Sequence, residues 1–127
     1  MLAVDTNVVV RLLVNDDQRQ AAQARRLFET DEIWIGVTVL LESAWVLESV
    51  YGLASAEAAD ALRGLLGLPN VQVEDATTVV RALDAAKAGL ELADALHLVR
   101  APEDAVFVTF DRALAKAGTK IRPTRLA

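Results

Sequence analysis

The amino-acid sequence predicts an α/β fold with a mostly parallel central sheet flanked by helices. Short apolar runs alternate with longer segments of helix-forming residues, the order in which helical crossovers connect parallel strands. Residues 105–109 are almost continuously apolar, as in a strand buried on both faces. A hydrophobic fraction of 54% with few aromatic residues indicates an aliphatic core, and 127 residues are the length of one domain, residues 1–127.

Local signals place each strand of the predicted sheet. The first apolar run ends at Asp5, and Pro69 and Asn70 form a turn before the third run. The first and fourth strands are expected to be buried, and the tail is expected to add an edge strand. In chain order the predicted strands are residues 1–4, 32–35, 71–73, 105–109 and a strand within 120–127.

The helices are predicted from their end signals and from helix-forming residues between them. Asp16 and Asp17 begin the first, and Ser55 is the candidate N-cap of the third, with Glu57 in its first turn. Glycines close the second, fourth and sixth, and Pro102 follows the fifth. In chain order the predicted helices are residues 16–28, 38–51, 55–66, 77–88, 92–100 and 111–117.

Composition and charge exclude several classes of protein. The chain has no cysteine, which excludes disulfides and thiolate metal sites and fits a cytoplasmic location. No apolar run approaches the roughly 18 to 20 residues that span a bilayer, and no signal peptide is expected because Asp5 comes so early. The net charge of −5 argues against a broad basic surface for nucleic acid. It remains compatible with a nuclease that uses cations and a few arginines, and it suits a basic protein partner.

Two carboxylates are predicted at the carboxyl ends of strands. Asp5 directly follows the first predicted strand, and Asp111 lies two residues after Thr109, which ends another. Parallel α/β sheets place their sites beyond the carboxyl ends of the strands. Helix capping explains either residue nearly as well as catalysis does.

Two further carboxylates are set in apolar helices. The helical neighbours of Glu42 include Val39, Trp45 and Val46, so its face is expected to be buried, where an unpaired carboxylate is costly. A functional role is therefore favoured over a structural salt bridge. Asp94 lies among leucines and alanines, and an N-terminal cap is its alternative role. If the fold gathers all four acids, their charges repel, and a divalent cation would relieve that repulsion.

Several neighbours of these acids are secondary candidates. His97, one turn after Asp94, is a ligand or general base, or more simply packs beside the site and hydrogen-bonds locally. Glu91 is a weaker acid for the rim. Arg11 and Arg112 are the nearest basic candidates for phosphate contact, and each is otherwise a solvated surface charge.

The candidate acids lie in four motifs, which are Val4-Asp5-Thr6-Asn7, the run Val39-Leu40-Leu41-Glu42-Ser43-Ala44-Trp45-Val46-Leu47, Leu92-Ala93-Asp94-Ala95-Leu96-His97, and Val108-Thr109-Phe110-Asp111. In this order they resemble the motifs of PIN domain proteins, and among them most closely those of VapC toxins of type II toxin–antitoxin modules. The resemblance covers essentially the whole chain. It departs at Glu91 and Leu92, where relatives often have Asp-Phe.

The resemblance implies a three-layer PIN-like fold and an endoribonuclease that depends on Mg²⁺ or Mn²⁺. Asp5 and Asp94 would be the main metal ligands, Glu42 and Asp111 would complete the acidic cluster, and Asn7 and Thr109 would orient the carboxylates. A metal-activated water would hydrolyse the RNA phosphodiester bond, leaving a 5′-phosphate and a 3′-hydroxyl. The resemblance further implies a homodimer and a VapB-like antitoxin that covers the site, docking against the apolar helices near Glu42.

Other classes fit these residues less well. A haloacid dehalogenase-type hydrolase also places Asp after the first strand, but it usually needs a second acid two residues later, where this chain has Asn7. A receiver domain has its acids in a different order. A catalytically inactive PIN-like module that only binds a partner would be supported by loss of a core acid, and none is lost. A purely structural protein would not need Glu42 and Asp94 in such apolar surroundings.

Overall fold

The computed structural model describes all residues 1–127 and has seven helices and five strands. It confirms the predicted α/β class with parallel strands. The elements in chain order are β1 Leu2–Ala3, α1 Thr6–Leu13, α2 Gln18–Thr30, β2 Ile33–Ile35, α3 Val37–Ser49, α4 Ser55–Leu66, β3 Val71–Val73, α5 Ala76–Lys87, α6 Leu92–Arg100, β4 Phe107–Thr109, α7 Arg112–Gly118 and β5 Thr124–Leu126.

The five strands form two parallel sheets. One has the order β1-β2-β3 and the other pairs β4 with β5, and no backbone hydrogen bond joins the two. Both β1 and β4 are therefore edge strands. The expectation that they are buried is wrong, since Leu2 is 37% exposed and Val108 is 46% exposed. The predicted edge strand in the tail is confirmed as β5.

The aliphatic core lies mainly among α3, α4, α5 and α6, which pack in chain order, and against β2. Leu40 and Leu47 of α3, Leu62 of α4 and Leu83 of α5 are almost inaccessible to solvent. Burying one such side chain contributes about 1.5–3 kcal/mol. None of the helices combines the length and apolarity needed to cross a bilayer.

Helix α1 is absent from the predicted elements. Its run Val8-Val9-Val10 favours a strand by intrinsic preference, yet Asp5 caps its first turn and Val9 and Val10 are buried. Tertiary packing therefore overrides local propensity here. The result is a helix that starts directly beyond β1 and packs against α2.

The end of α3 and the start of α4 are each determined by nearby residues. Gly52, with φ +71°, follows α3 and confirms the predicted closure, because few other residues adopt this left-handed conformation. Helix α4 begins one residue earlier than Ser55 would imply. Its N-cap is Ala54, whose backbone N–H donates to Glu57 Oε1 at 3.0 Å. The Ser55 hydroxyl instead donates to Glu48 on α3.

Candidate active site

The two strand-end carboxylates occupy equivalent positions in the structure. Asp5 caps α1, its Oδ1 accepting from the Val8 backbone N–H at 3.1 Å, and Asp111 caps α7, its Oδ1 accepting from the Leu114 N–H at 3.0 Å. Both residues are exposed. In each, Oδ2 has no hydrogen-bond partner in the chain. The capping alternative is therefore correct, and it leaves one oxygen of each carboxylate available to a ligand.

The two residues expected to orient the carboxylates behave differently. The Thr109 hydroxyl oxygen accepts a hydrogen bond from the Asp111 backbone N–H at 3.0 Å, so Thr109 restrains the turn that carries Asp111. Asn7 is exposed and makes no side-chain hydrogen bond. It lines a groove with Asp5, and its amide is free to interact with whatever enters that groove.

Asp5 lies in a groove of about 430 Å³ between α1 and α2, here called the α1–α2 groove. Apart from Asp5 and Asn7, its polar lining consists of Arg11, Gln20 and Gln23. Most of the polar side chains in the groove are therefore amides, together with one carboxylate and one guanidinium group. Its full lining is Asp5, Asn7, Val8, Arg11, Gln20, Gln23, Ala24 and Leu27.

The side chain of Arg11 in the α1–α2 groove is held in a hydrogen-bonded network. Arg11 donates from Nε to Gln20 Oε1 at 2.7 Å, and from Nη1 to Asp16 Oδ1 and to the Tyr51 hydroxyl oxygen, both at 3.0 Å. The Tyr51 hydroxyl in turn donates to Asp16 Oδ2 at 2.7 Å. The Tyr51 hydrogen bond and the Arg11 charge hold the pKa of the Asp16 carboxyl below its usual value, and Tyr51 raises the pKa of Arg11. Arg11 is thus an ion-paired residue rather than a solvated charge.

Glu42 lies on an open face of α3, which corrects the expectation that this face is buried. Glu42 and Thr38 are exposed and Trp45, one turn on, is 65% exposed. Apolar neighbours did share its face, but no other element covers that face. Glu42 needs no buried partner, so the expected cost of burying an unpaired carboxylate does not arise at this position.

Asp94 is the third residue of α6 and is half-buried. It makes no capping hydrogen bond, and the N-cap residue of α6 is Glu91, which also provides no side-chain cap. The alternative role of Asp94 as a cap is therefore wrong. Its neighbour Ala93 lines a depression together with Glu42 and Trp45, which brings the start of α6 close to the middle of α3.

Helices α3 and α6 form the walls of a second groove, here called the α3–α6 groove. It comprises three adjoining depressions that have Leu41 in common. The largest, of about 660 Å³, is also lined by Glu74, His97 and Arg100. The other two share Trp45 and Ala93, and their acidic lining residues are Glu42, Glu48 and Glu91. His97 is exposed and makes no hydrogen bond, so its expected local hydrogen bond is absent. Arg100 is exposed and forms no ion pair.

Trp45 and Arg100 were not singled out from the sequence, although a signal for them existed. Trp45 lies three residues after Glu42, and Arg100 lies three residues after His97. On a helix this spacing places each beside a residue that was already a candidate. The antiparallel pairing of α3 with α6, which puts both pairs in one groove, is a tertiary feature.

The structure does not bring the four acids into one cluster. No group of three or more histidine, aspartate or glutamate side chains lies close enough together to hold a metal ion. Asp5 lines the α1–α2 groove, Glu42 and the start of α6 belong to the α3–α6 groove, and Asp111 caps α7. The donors are nevertheless hard oxygens, which suit Mg²⁺. That ion is commonly held by one or two carboxylates, waters and substrate phosphates rather than by a protein cage.

Comparison with known proteins supplies one match. The family model described as PIN domain matches residues 2–120. No curated protein matches the chain.

Proposed function

The chain belongs to the PIN domain family, and from this membership we propose that it is a Mg²⁺- or Mn²⁺-dependent endoribonuclease, the toxin of a VapBC-type toxin–antitoxin module. PIN domain proteins are generally nucleases, which supports phosphodiester hydrolysis as the reaction. The single observation that carries the proposal is the pair of strand-end acids. Asp5 and Asp111 are each fixed through Oδ1 and each present a free Oδ2 beyond a parallel strand.

In this proposal Asp5 and Asp94 are the main ligands of the divalent ion, and Glu42 and Asp111 complete the acidic set. The bound ion would supply an activated water and would neutralise charge developing on the phosphate. Capping hydrogen bonds hold the Asp5 and Asp111 carboxylates in one orientation, so little ordering is needed when the substrate arrives. Thr109 restrains Asp111 through its backbone amide. The Asn7 amide, which lines the α1–α2 groove, would help to orient the Asp5 carboxylate when a ligand is bound.

Basic side chains near the acids differ in availability for phosphate contact. Arg112 is the first residue of α7, next to Asp111, and is exposed without an ion pair. Arg11 would first have to leave Asp16 and Tyr51. Arg112 is therefore the readier of the two proposed phosphate contacts.

The proposal also includes protein partners, for which exposed apolar side chains are the supporting observation. A VapB-like antitoxin would cover the open face of α3, where Trp45 is 65% exposed, and it would extend to Val50, which caps the end of α3 and is equally exposed. Exposed apolar side chains of this size on a helix commonly mark protein interfaces. The proposal includes a homodimer and a cytoplasmic location, with RNA as the substrate.

A second candidate is a catalytically inactive PIN-like module that only binds a partner. The absence of a three-acid group able to hold a metal favours it. The two candidates differ in one measurable property, which is whether Asp5 is needed for RNA cleavage.

The test is cleavage of total cellular RNA by purified, antitoxin-free protein with Mg²⁺ or Mn²⁺, with EDTA as a control. Asp5→Asn is the informative variant, because asparagine caps a helix as well as aspartate does while removing the charge. Asp17→Asn is its matched control, since Asp17 caps α2 by accepting from the Gln20 N–H. We expect discrete fragments from the wild type and from Asp17→Asn, and none from Asp5→Asn or with EDTA. Folded protein that never cleaves RNA would favour the inactive module.

A further inference from the structure

The charged residues of this acidic chain are unevenly distributed along it. Residues 112–127 contain five of the 13 lysines and arginines and no aspartate or glutamate. Residues 1–111 contain the other eight basic residues and all 18 acidic ones, so their net charge is −10 against +5 for the C-terminal segment. A change of sign within one domain indicates a local surface for an anionic partner, even though the whole chain is acidic.

Three of these cations form one row on the outer side of α7, here called the α7 row. Arg112 and Lys116 are one turn apart on the helix, and Lys120 follows four residues later, just beyond its end. All three are exposed and none forms an ion pair. Residues four apart lie on the same side of a helix. The row therefore faces solvent, because the buried Leu114 and Gly118 are on the opposite side.

The other two cations of the segment are placed differently. Arg122 is half-buried and donates to backbone carbonyl oxygens of the loop after α6, at 2.6 to 3.1 Å. Arg125 is exposed on β5, next to Thr124, whose side chain faces Gly118 of α7. Side chains alternate between the two faces of a strand, so Arg125 projects from the face away from α7. Arg122 therefore supports the fold, and Arg125 is a free charge outside the α7 row.

No acid of the chain pairs with the α7 row. Glu103 and Asp104 belong to the loop that Arg122 holds, before β4, and neither forms an ion pair. Lys120 is the one charged residue that lines a depression of about 360 Å³ where α7 meets the end of α5. The acid beside the row is Asp111, the N-cap of α7 and itself a candidate metal ligand. The three cations are therefore available to a ligand.

We propose that the α7 row is the track of the RNA backbone, along which Arg112, Lys116 and Lys120 each contact a phosphate. This inference rests on the proposed nuclease function and adds to it where the substrate lies. At a rise of about 1.5 Å per residue, the eight residues from Arg112 to Lys120 give a track of about 12 Å. The track begins beside Asp111, so a strand held along it has one end at a carboxylate proposed for catalysis.

The composition of α7 favours a nucleic acid over a protein or a membrane as the occupant. Between its cations the helix has only alanine, glycine and the buried Leu114. Protein interfaces are depleted in lysine and have an apolar centre, which this surface lacks. An extended anionic membrane would be repelled by the rest of a chain with net charge −5, whereas a single strand needs to touch only the row. Lysine and arginine contacts of this kind are the usual way to hold a phosphate backbone.

The test measures the affinity of the purified protein for labelled oligouridine by fluorescence anisotropy, with EDTA present to prevent cleavage. We expect Lys116→Gln and Lys120→Gln each to reduce the slope of log K against log salt by about 0.7, the contribution of one phosphate contact to a single strand. For a contact that vanishes at 1 M salt, the same relation gives a loss of about fivefold at 0.1 M and about 1.6-fold at 0.5 M. Glutamine keeps the helix preference of lysine, so the main change is the lost charge.

Two variants serve as matched controls. Arg125→Gln removes one exposed positive charge from the same segment, on the face of β5 away from α7, and should leave the slope unchanged. Lys116→Arg keeps the charge in the row and should retain the wild-type slope. Thermal unfolding midpoints equal to that of the wild type would show that all four variants fold.

The outcomes separate this inference from the function it rests on. If the wild type cleaves RNA with Mg²⁺ but both lysine-to-glutamine variants keep its slope, the α7 row is not the track and the nuclease function stands. An equal loss of slope in Arg125→Gln would show that only the net charge of the segment matters, which overturns the track. If RNA is bound through the row but never cleaved, the track stands and the nuclease function fails. If the wild type neither binds nor cleaves RNA, both fail.

Discussion

The two grooves contain the same kinds of residue in opposite states. In the α1–α2 groove, Arg11 is held by Asp16, Gln20 and Tyr51. In the α3–α6 groove, Arg100 has no partner in the chain. A cation that is already paired stabilises the fold, and an unpaired one remains available to a ligand. Residue type alone therefore does not identify a binding residue, and the partners of each side chain decide it.

The largest expected effect comes from removing one acid from each groove. Asp5→Asn and Glu42→Gln should each reduce RNA cleavage by about 100-fold or more, the scale of losing one group that stabilises the transition state. Each change removes a charge while keeping shape and helix contacts. Initial cleavage rates on a defined RNA measure the effect. A large loss in one groove alone would restrict the chemistry to that groove.

A second prediction concerns the packing of α7 against α6, which is one of the two helices that form the α3–α6 groove and takes no part in the α1–α2 groove. A Cβ at Gly118 would lie 2.9 Å from Thr124 Oγ1 and 3.1 Å from Leu98 Cδ2 of α6. Gly118→Ala should therefore lower the free energy of unfolding by about 1–3 kcal/mol. Gly64→Ala is the control, because a Cβ at this position in the last turn of α4 meets nothing within 4 Å, and the change should stabilise by about 0.5–1 kcal/mol. Urea denaturation compares them, and equal stabilities would contradict the tight packing of α7 on α6.

A third prediction concerns a variant in which Arg11 loses its ion pair and so becomes unpaired, like Arg100 in the other groove. Asp16→Asn removes the charge that holds Arg11, so Arg11 becomes available to phosphate and RNA affinity should rise by about two- to threefold at low salt. Asp17→Asn changes the net charge equally without touching Arg11. Anisotropy with labelled RNA measures both. An equal gain in the two variants would mean that net charge, and not release of Arg11, is responsible.

The smallest expected effect is on pH dependence. The pKa of Asp16 is below its usual 3.8 in the folded protein, so the ionised form is favoured by folding. The stabilisation is fully present above the unfolded pKa and is lost as pH falls through the folded pKa. The difference in urea midpoint between wild type and Asp16→Asn should therefore be constant from neutral pH to about pH 5 and shrink in more acidic solution. A difference that persists at pH 2 would show that the contribution is not electrostatic.

Much of the fold was predictable from local sequence. Strand β3 and helix α6 have the predicted bounds, because turn residues before Val71 and the proline after Arg100 define them. The exposure of β1 and β4 as edge strands was not predictable, since apolar composition does not reveal that the sheets are separate. Helix α1 was not predicted, because its three consecutive valines favour a strand by intrinsic preference.

The positions of the candidate acids were predictable to different degrees. Asp5 and Asp111 lie just beyond the ends of β1 and β4, as predicted, because the end of a strand can be located from neighbouring residues of the sequence alone. The exposure of Glu42 was not foreseen, since helical spacing tells which residues share a face but not whether another element covers it. Whether the four acids act together remains a prediction for the cleavage assay.

Strand β5 supports the position of Asp111 through its pairing with β4. It is the only strand paired with β4, and the backbone N–H of Ala127 donates to the Thr109 carbonyl at 2.9 Å. The hydroxyl of the same threonine restrains Asp111. Substitutions that disrupt the pairing of β5 with β4 would therefore loosen the turn that carries Asp111, while the core among α3, α4, α5 and α6 stays packed. The position of this candidate acid thus depends on the separate two-stranded sheet rather than on the main core.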